Sequence, residues 1–233
     1  MIAHLTKTVF VEAAHYNPQG APAQQRLHGH SFRIDIQARG AVDPALGWVV
    51  DYAEIKETFA PLIRLLDHGY LNEIHGLEVM PTLEGLRRWL ESGVAPRPDW
   101  LLGVRISIVG DLCFRPVRLS ADPQAELPER IGFSFEAAQS LPQLPEDHPC
   151  RRIHGHSYRI EAAAPDLTGL EPHLADIYDA LDHRFLNDVE GLEQATCERI
   201  AQWVWGRLNG RGVPVTLVGV QETPSARCRY YGE

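Results

Sequence analysis

No stretch of this chain approaches the roughly 20 consecutive apolar residues needed to cross a bilayer, and charged and polar residues interrupt its start, which carries no signal-peptide pattern. These two absences predict a cytoplasmic protein with no membrane partner. Cysteine is scarce. The four residues Cys113, Cys150, Cys197 and Cys228 form no C-x-x-C pair and no secreted disulfide spacing, so reduced thiols are expected. A basic excess is missing too. The net charge is -9, with the acidic residues scattered, which disfavours nucleic acid as a partner. A phosphorylated small molecule stays open, because a local pocket can be basic. What remains is ordinary for a globular protein: 233 residues, 44% hydrophobic and 23% charged.

The chain is written twice. Leu27-His-Gly-His-Ser-Phe-Arg-Ile34 matches Ile153-His-Gly-His-Ser-Tyr-Arg-Ile160. Upstream, Phe10-Val-Glu-Ala-Ala-His15 matches Ser134-Phe-Glu-Ala-Ala-Gln139. Downstream, Leu66-Asp-His-Gly-Tyr-Leu-Asn72 matches Leu181-Asp-His-Arg-Phe-Leu-Asn187. Gly76-Leu-Glu78, Thr82-Leu-Glu84 and Trp89 recur as Gly191-Leu-Glu193, Thr196-Cys-Glu198 and Trp203. The order is conserved between halves, so two tandem units are expected over 1–119 and 131–233. The Pro-bearing segment 120–130 is read as their linker.

Each unit reads as α+β. Thr6–Ala14 is strand-like, and Gly29–Ala38 alternates, with Phe32, Ile34 and Ile36 on one face. Tyr52, Ile55, Phe59, Leu62, Ile63 and Leu66 recur with helical period. A second helix starts near Pro81, and Leu101–Val109 closes the unit as a strand. The second half repeats this with a shorter first helix.

The chemistry concentrates in the repeated motifs. His28 and His30 share one strand face. If His15 ends the paired strand, three imidazoles converge, which is the donor set of a zinc with an open position. Gly29 between them allows close approach. Taken alone, H-G-H is equally a polar strand end. Cys150 stands four residues before His154 and beside Arg151 and Arg152, whose charges should favour its thiolate; an inert loop thiol is the other reading. Asp67-His68 and Asp182-His183 each follow a helix, where an Asp can orient a His for proton transfer or simply finish a helix. Glu222 ends a strand, either exposed or accepting from a guanidine-like ring edge.

Together these motifs resemble the 6-pyruvoyl-tetrahydropterin synthase family, including the 6-carboxytetrahydropterin synthases of queuosine biosynthesis. The shared pattern is an aromatic–Ala-Ala-His strand, C-x-x-x-H-G-H, L-D-H-x-x-L-N, P-T-x-E and a final E-T. The resemblance implies two tandem tunnelling-fold units, each an antiparallel sheet with two helices on one face. It implies a lyase acting on 7,8-dihydroneopterin triphosphate, with Zn2+ on His15, His28 and His30 and on His154 and His156. Cys150 would move side-chain protons, assisted by Asp67, His68, Asp182 and His183 from adjacent units. Glu222 and Thr223 would anchor the pterin, with Thr82, Glu84, Thr196 and Glu198 as further substrate contacts. It also implies a closed homo-oligomer, a dimer or trimer of the two-unit chain, in which Asp67 of one chain would assist Cys150 of another.

The pattern is broken in complementary places. Gln24 stands at the cysteine position of the first half, and Asp111 stands roughly where the family has its final Glu. Gln139 replaces the first zinc histidine of the second half, and Gln is a poor zinc ligand beside His. Three functions therefore remain: the thiol-dependent lyase, a non-catalytic pterin- or nucleotide-binding protein with a residual zinc site, and a thiol-independent zinc lyase on a dihydropterin.

Overall fold

The computed structural model describes residues 1–233. In chain order the elements are β1 Ile2–His15, β2 His28–Ala41, α1 Tyr52–Leu66, β3 Gly69–Tyr70, α2 Leu83–Gly93, β4 Leu101–Ile108 and β5 Val117–Leu119. Then follow β6 Arg130–Gln139, β7 His154–Ala163, α3 Leu170–Leu181, β8 Arg184–Phe185, α4 Cys197–Asn209, β9 Leu217–Thr223 and β10 Ala226–Tyr230. No helix is long and apolar enough to cross a membrane.

The two units are tunnelling folds in tandem, each with its own sheet. The first runs β3-β1-β2-β4 and the second β10-β9-β7-β6-β5, with β8 pairing β6. Strand alternation decides which face is covered. Phe32, Ile34, Ile36 and Ala38 point into the core with Ile55, Phe59, Leu86 and Leu90, while Arg33 and Arg39 face outward. Burying a side chain such as Phe32 or Phe59 stabilises the unit by roughly 2–3 kcal/mol. Asp51 caps α1 by accepting from the Ala53 N–H, and Thr82 caps α2 by accepting from the Gly85 N–H; such caps contribute about 1 kcal/mol each. The second core repeats the plan with Phe133, Phe135, Tyr158 and Ile160 under Leu174, Ile177, Val204 and Leu208.

Two boundaries differ from the expectation. β1 begins at Ile2 because Ile2–Leu5 pair with Ala38–Ala41, and a ladder holds a strand whatever its local alternation. Val117–Leu119, expected in the first unit, pair with Arg130–Gly132 of the second sheet. The segment expected to be a plain linker also packs. Asp122 bridges Leu127, and Leu127 is buried against Ala163 and Leu217.

The units meet where β1, β2, β6 and β7 end at their histidine-bearing tips. A Cβ on Gly29 would stand 2.4 Å from the Gly155 Cα, and a Cβ on Gly155 would stand 2.3 Å from the Gly29 Cα. Glycine in H-G-H is therefore required by backbone meeting backbone across the two halves, not by a ligand.

Around this point the contacts are reciprocal. The Ser31 N–H donates to Ser157 Oγ and the Ser157 N–H to Ser31 Oγ, both at 3.1 Å. Ser31 Oγ donates to Glu12 Oε2, and Ser157 Oγ donates to Glu136 Oε2. A local two-fold relates the halves.

Candidate active sites

The first site is built by the β1–β2 ladder. His15 lies opposite His28 in register, and His30 follows on the same face. All three rings are buried, and one ligand nitrogen from each lies within 4.8 Å of the others. Their tautomers are directed from outside the cluster. His28 Nδ1 lies 2.7 Å from the Arg26 carbonyl, and His30 Nδ1 lies 2.7 Å from Glu136 Oε2 of the other unit. Each contact leaves Nε2 as a lone pair facing inward. Neither ring nitrogen of His15 has a hydrogen-bond partner. Burial, reinforced by the neighbouring imidazoles, pulls His15 and His30 down to about 3 and His28 to about 2. Three neutral imidazoles with inward lone pairs and an orphaned buried pair of nitrogens fit a divalent zinc.

The second unit supplies the next group. His183 stacks 4.5 Å from His28, centroid to centroid, and its Nδ1 lies 2.6 Å from Asp182 Oδ2. His183 has φ 51° and His68 φ 53°, the left-handed region that non-glycine residues rarely enter. Each bend places its N–H on a carbonyl of the preceding sheet, His68 on Glu12 and His183 on Glu136. It thereby turns the imidazole away from its own helix and across the interface. A cavity of about 240 Å³ opens here, lined by the three histidines, His183, Gln24, Thr82 and the apolar Phe32, Leu83, Ile108 and Leu112.

The second site is the two-fold counterpart with other residues. His154 lies opposite Gln139 in the β6–β7 ladder. His154 is pulled down to about 3 by burial and by His156. His68 of the first unit stacks 4.7 Å from His154, and ligand atoms of His68, Cys150 and His154 lie within 4.8 Å of one another. His156 stands apart from that group. Its Nδ1 is held by Glu12 Oε2 at 2.8 Å, and its Nε2 is 3.4 Å from Glu222 Oε1 without a hydrogen bond. Gln139 Nε2 donates to Glu222 Oε1 at 2.7 Å, and its Oε1 has no partner. A three-imidazole zinc does not fit here, because the amide is turned toward the carboxylate.

Four expectations change. The Cys150 thiol is pushed up, not down: burial dominates, Glu222 and Asp67 add to it, and Arg152 opposes weakly. Arg151 is occupied by the Pro142 and Leu144 carbonyls, and Arg152 donates to the Asp67 carbonyl. The counterpart of Glu222 is Ile108, not Asp111. β2 pairs Phe32 with Ile108 and Arg33 with Ser107, as β7 pairs Arg159 with Gln221 one residue before Glu222. Asp111 instead accepts from Ser134. The Asp–His pairs cross between units of one chain, so Asp67 stands by Cys150 without a second chain. Glu84 is exposed and paired with Arg87 and Arg88, whose hydrogen bonds lower it to about 2, while only Thr82 of that pair lines the cavity.

The remaining substrate-contact candidates have local roles. Thr196 caps α4 through the Arg199 N–H and Thr223 Oγ1 accepts from the Ala226 N–H; burial pushes the Cys197 and Cys228 thiols up, with Glu222 adding to it at Cys197 and Glu198 at both. Asp67 and Asp182 are held low; burial raises each, but His68 and His183 beside them and the backbone N–H groups of Glu12 and Glu136 outweigh it. Sequence reasoning missed Glu12 and Glu136, the carboxylates that orient His156 and His30. Their recurrence inside F-V-E-A-A and S-F-E-A-A was the available signal, an acid in an otherwise apolar repeated strand.

A family model described as 6-pyruvoyl tetrahydropterin synthase matches residues 4–103 and 130–233. A 6-carboxy-5,6,7,8-tetrahydropterin synthase from Synechocystis sp. is 39% identical over 116 residues, covering 42% of this chain and 88% of that protein. A dihydroneopterin monophosphate aldolase from Pyrococcus furiosus is 29% identical over 70 residues; the match spans 30% of this chain and 57% of that protein, little more than half its length. Among solved structures, the 6-pyruvoyl tetrahydropterin synthase of Caenorhabditis elegans aligns with a TM-score of 0.41 at 22% identity, over 46% of this chain and 89% of that one. With both repeats matched in turn and little outside them, the chain belongs to the 6-pyruvoyl tetrahydropterin synthase family, a family of lyases on pterins.

Proposed function

We propose that this chain is a lyase acting on 7,8-dihydroneopterin triphosphate, with the pterin chemistry in the second site and zinc in the first. One observation carries the reading: His68, with Asp67 beside it, is delivered from the first unit to Cys150 and His154 of the second. Glu222 stands at the same place and offers a carboxylate to a pterin 2-amino and N3–H edge, once the Gln139 amide yields it. Cys150 carries its proton at neutrality and gives it to the side chain, while His68 takes a proton from the same side chain and passes it to the thiolate, so both groups end as they began. Zinc, held by His15, His28 and His30, would give the first site a Lewis acid for a hydroxyl or carbonyl bound there. The first site lacks both a thiol and a carboxylate anchor, since Gln24 and Ile108 stand in those places.

A second reading is supported by the cavity at the first site. There His183 and Asp182 adjoin the zinc-fitting histidines without a thiol, an arrangement suited to aldolase-like cleavage of a dihydropterin. Anaerobic incubation with dihydroneopterin triphosphate separates the two by mass spectrometry, because the first releases inorganic triphosphate and aldolase-like cleavage releases a two-carbon aldehyde that keeps the triphosphate. Loss of turnover in Cys150→Ala supports the first reading. Full turnover in Cys150→Ala with loss in His183→Ala supports the second, and no turnover by the wild type sinks both for this substrate.

Assembly belongs to the same proposal. The two sheets share no strand ladder, and β4 and β10 are left as edges, which invite pairing. Units already stacked tip to tip within a chain favour three chains forming two stacked three-unit rings. Light scattering tests this: a stable 26.1 kDa monomer at micromolar concentration contradicts it.

A further inference from the structure

We infer that Cys150, His68 and His154 form a second, separate metal site for a borderline-soft divalent cation, with one sulfur and two imidazole ligands. The three ligand atoms already lie within 4.8 Å of one another, and they come from both units. One imidazole is already oriented for it and the other has its acceptor at hand. His154 Nδ1 lies 2.8 Å from the Arg152 carbonyl, which leaves Nε2 as a donor, and His68 Nδ1 lies 3.1 Å from Asp67 Oδ2 without yet forming a hydrogen bond. Metal-bound histidines are oriented in this way, by an acceptor on the far nitrogen. The remaining polar contact is Gln139 Nε2, 3.4 Å from His154 Nε2, a long contact that a cation replaces.

Comparison of the two halves gives the reason for the different donor set. In the first site His183 stacks on His28 as His68 stacks on His154, and His15 closes the donor set from β1. In the second site Gln139 occupies the place of His15 and turns to Glu222, so β6 offers no imidazole. The third donor instead is Cys150, on the loop between β6 and β7, where the first half has only Gln24. Sulfur with two nitrogens suits Zn2+ or Co2+ and excludes hard cations. Asp67 and Glu222 are the charged neighbours that most affect the thiol, and negative charge there favours a cation. Binding is a ligand exchange without redox change: a metal–sulfur bond forms, the S–H bond breaks, and the proton leaves to solvent.

The test is a Co2+ titration of the full chain, freed of metal by dialysis against chelator and kept anaerobic with a non-thiol reductant. The expected result is about two equivalents, one of which brings thiolate-to-cobalt charge-transfer absorption in the near ultraviolet. Cys150→Ser should lose that band and one equivalent, His68→Ala should weaken the banded site at least ~10-fold, and His28→Ala should keep the band. Saturation of the wild type without a thiolate band overturns the inference, as does a band that survives Cys150→Ser. An unchanged banded affinity in His68→Ala also overturns it. A measurement on the wild type alone guards against misfolded variants: Zn2+ beyond the first equivalent must protect Cys150 from alkylation in peptide mapping. In one consequence the inference rests on the lyase reading above: a metal here takes the thiol and His68 out of proton transfer, so excess Zn2+ should inhibit turnover. If the chain has no turnover, the titration still decides the metal site by itself.

Discussion

His30 Nδ1 and Glu136 Oε2 lie 2.7 Å apart across the two units, so a candidate zinc ligand of one repeat is oriented by a carboxylate of the other. The exchange is mutual, with His156 held by Glu12 at 2.8 Å. Glu136 is fully buried, and burial drives its carboxyl well up, against the hydrogen bond from Ser157. Replacing it by Gln keeps the size but removes the strong acceptor. Glu136→Gln should weaken zinc at the first site by about 10–100-fold, measured by competition with a chromophoric chelator. Unchanged affinity shows that Glu136 only fills space.

Gly29→Ala tests the close approach of the two halves. Its methyl group would meet the Gly155 Cα at 2.4 Å, backbone against backbone, with no flexible side chain to yield. A loss of about 1–3 kcal/mol is expected, the usual range for overpacking, read as a lower urea midpoint. Gly47→Ala, where a Cβ meets nothing within 4 Å but φ is +79°, gives the comparison for backbone strain alone.

The repeat exposed the units, the histidine cluster and the Asp–His pairs, because each needs particular side chains at fixed spacing. The crossing of Asp67–His68 to Cys150 within one chain was not legible, because it depends on how two sheets stack. The charge environment of Cys150 is hidden from the sequence for a related reason. Arg151 and Arg152 are its sequence neighbours, but three carbonyls take them up, while Glu222 and Asp67 come from distant strands and helices. Likewise Ile108 replaces Glu222 by sheet register, which no local motif encodes.

The buried imidazoles make the metal-free protein acid-sensitive. His15, His30 and His154 sit near 3 and His28 near 2 when folded, against 6.5 for an ordinary histidine. These folded values are depressed, so between pH 6.5 and about 3 the unfolded chain binds more protons than the native one. Their contribution is complete above pH 6.5 and is lost as pH falls, by up to about 1.4 kcal/mol per pH unit for each group. Urea midpoints of metal-free protein between pH 7.5 and 4.5 should drop steeply, and less so in His15→Gln. Equal slopes show that His15 is not held neutral by the fold.

Thiol reactivity should follow the surroundings of Cys150. Burial, Glu222 and Asp67 keep the thiol protonated at neutral pH. Alkylation with peptide mapping should label the exposed Cys113 first, with Cys150 accelerating only as pH rises. Removing one negative neighbour, in Glu222→Gln, should shift the Cys150 profile to lower pH. Rapid neutral labelling of Cys150 in metal-free protein contradicts this placement.

Site sharing gives the last test. His68 stacks 4.7 Å from His154 of its own chain, and Arg152 reaches back to the Asp67 carbonyl. A chain carrying Asp67→Ala therefore spoils its own second site while keeping the thiol. A chain carrying Cys150→Ala keeps Asp67 but has no thiol to assist. If both variants are inactive and subunits are shown to exchange, mixing them should restore nothing, because neither chain can lend its intact half across a chain boundary. Recovery in the mixture of full chains instead means that the halves swap partners between chains, and that the reciprocal contacts at Ser31 and Ser157 can form in trans.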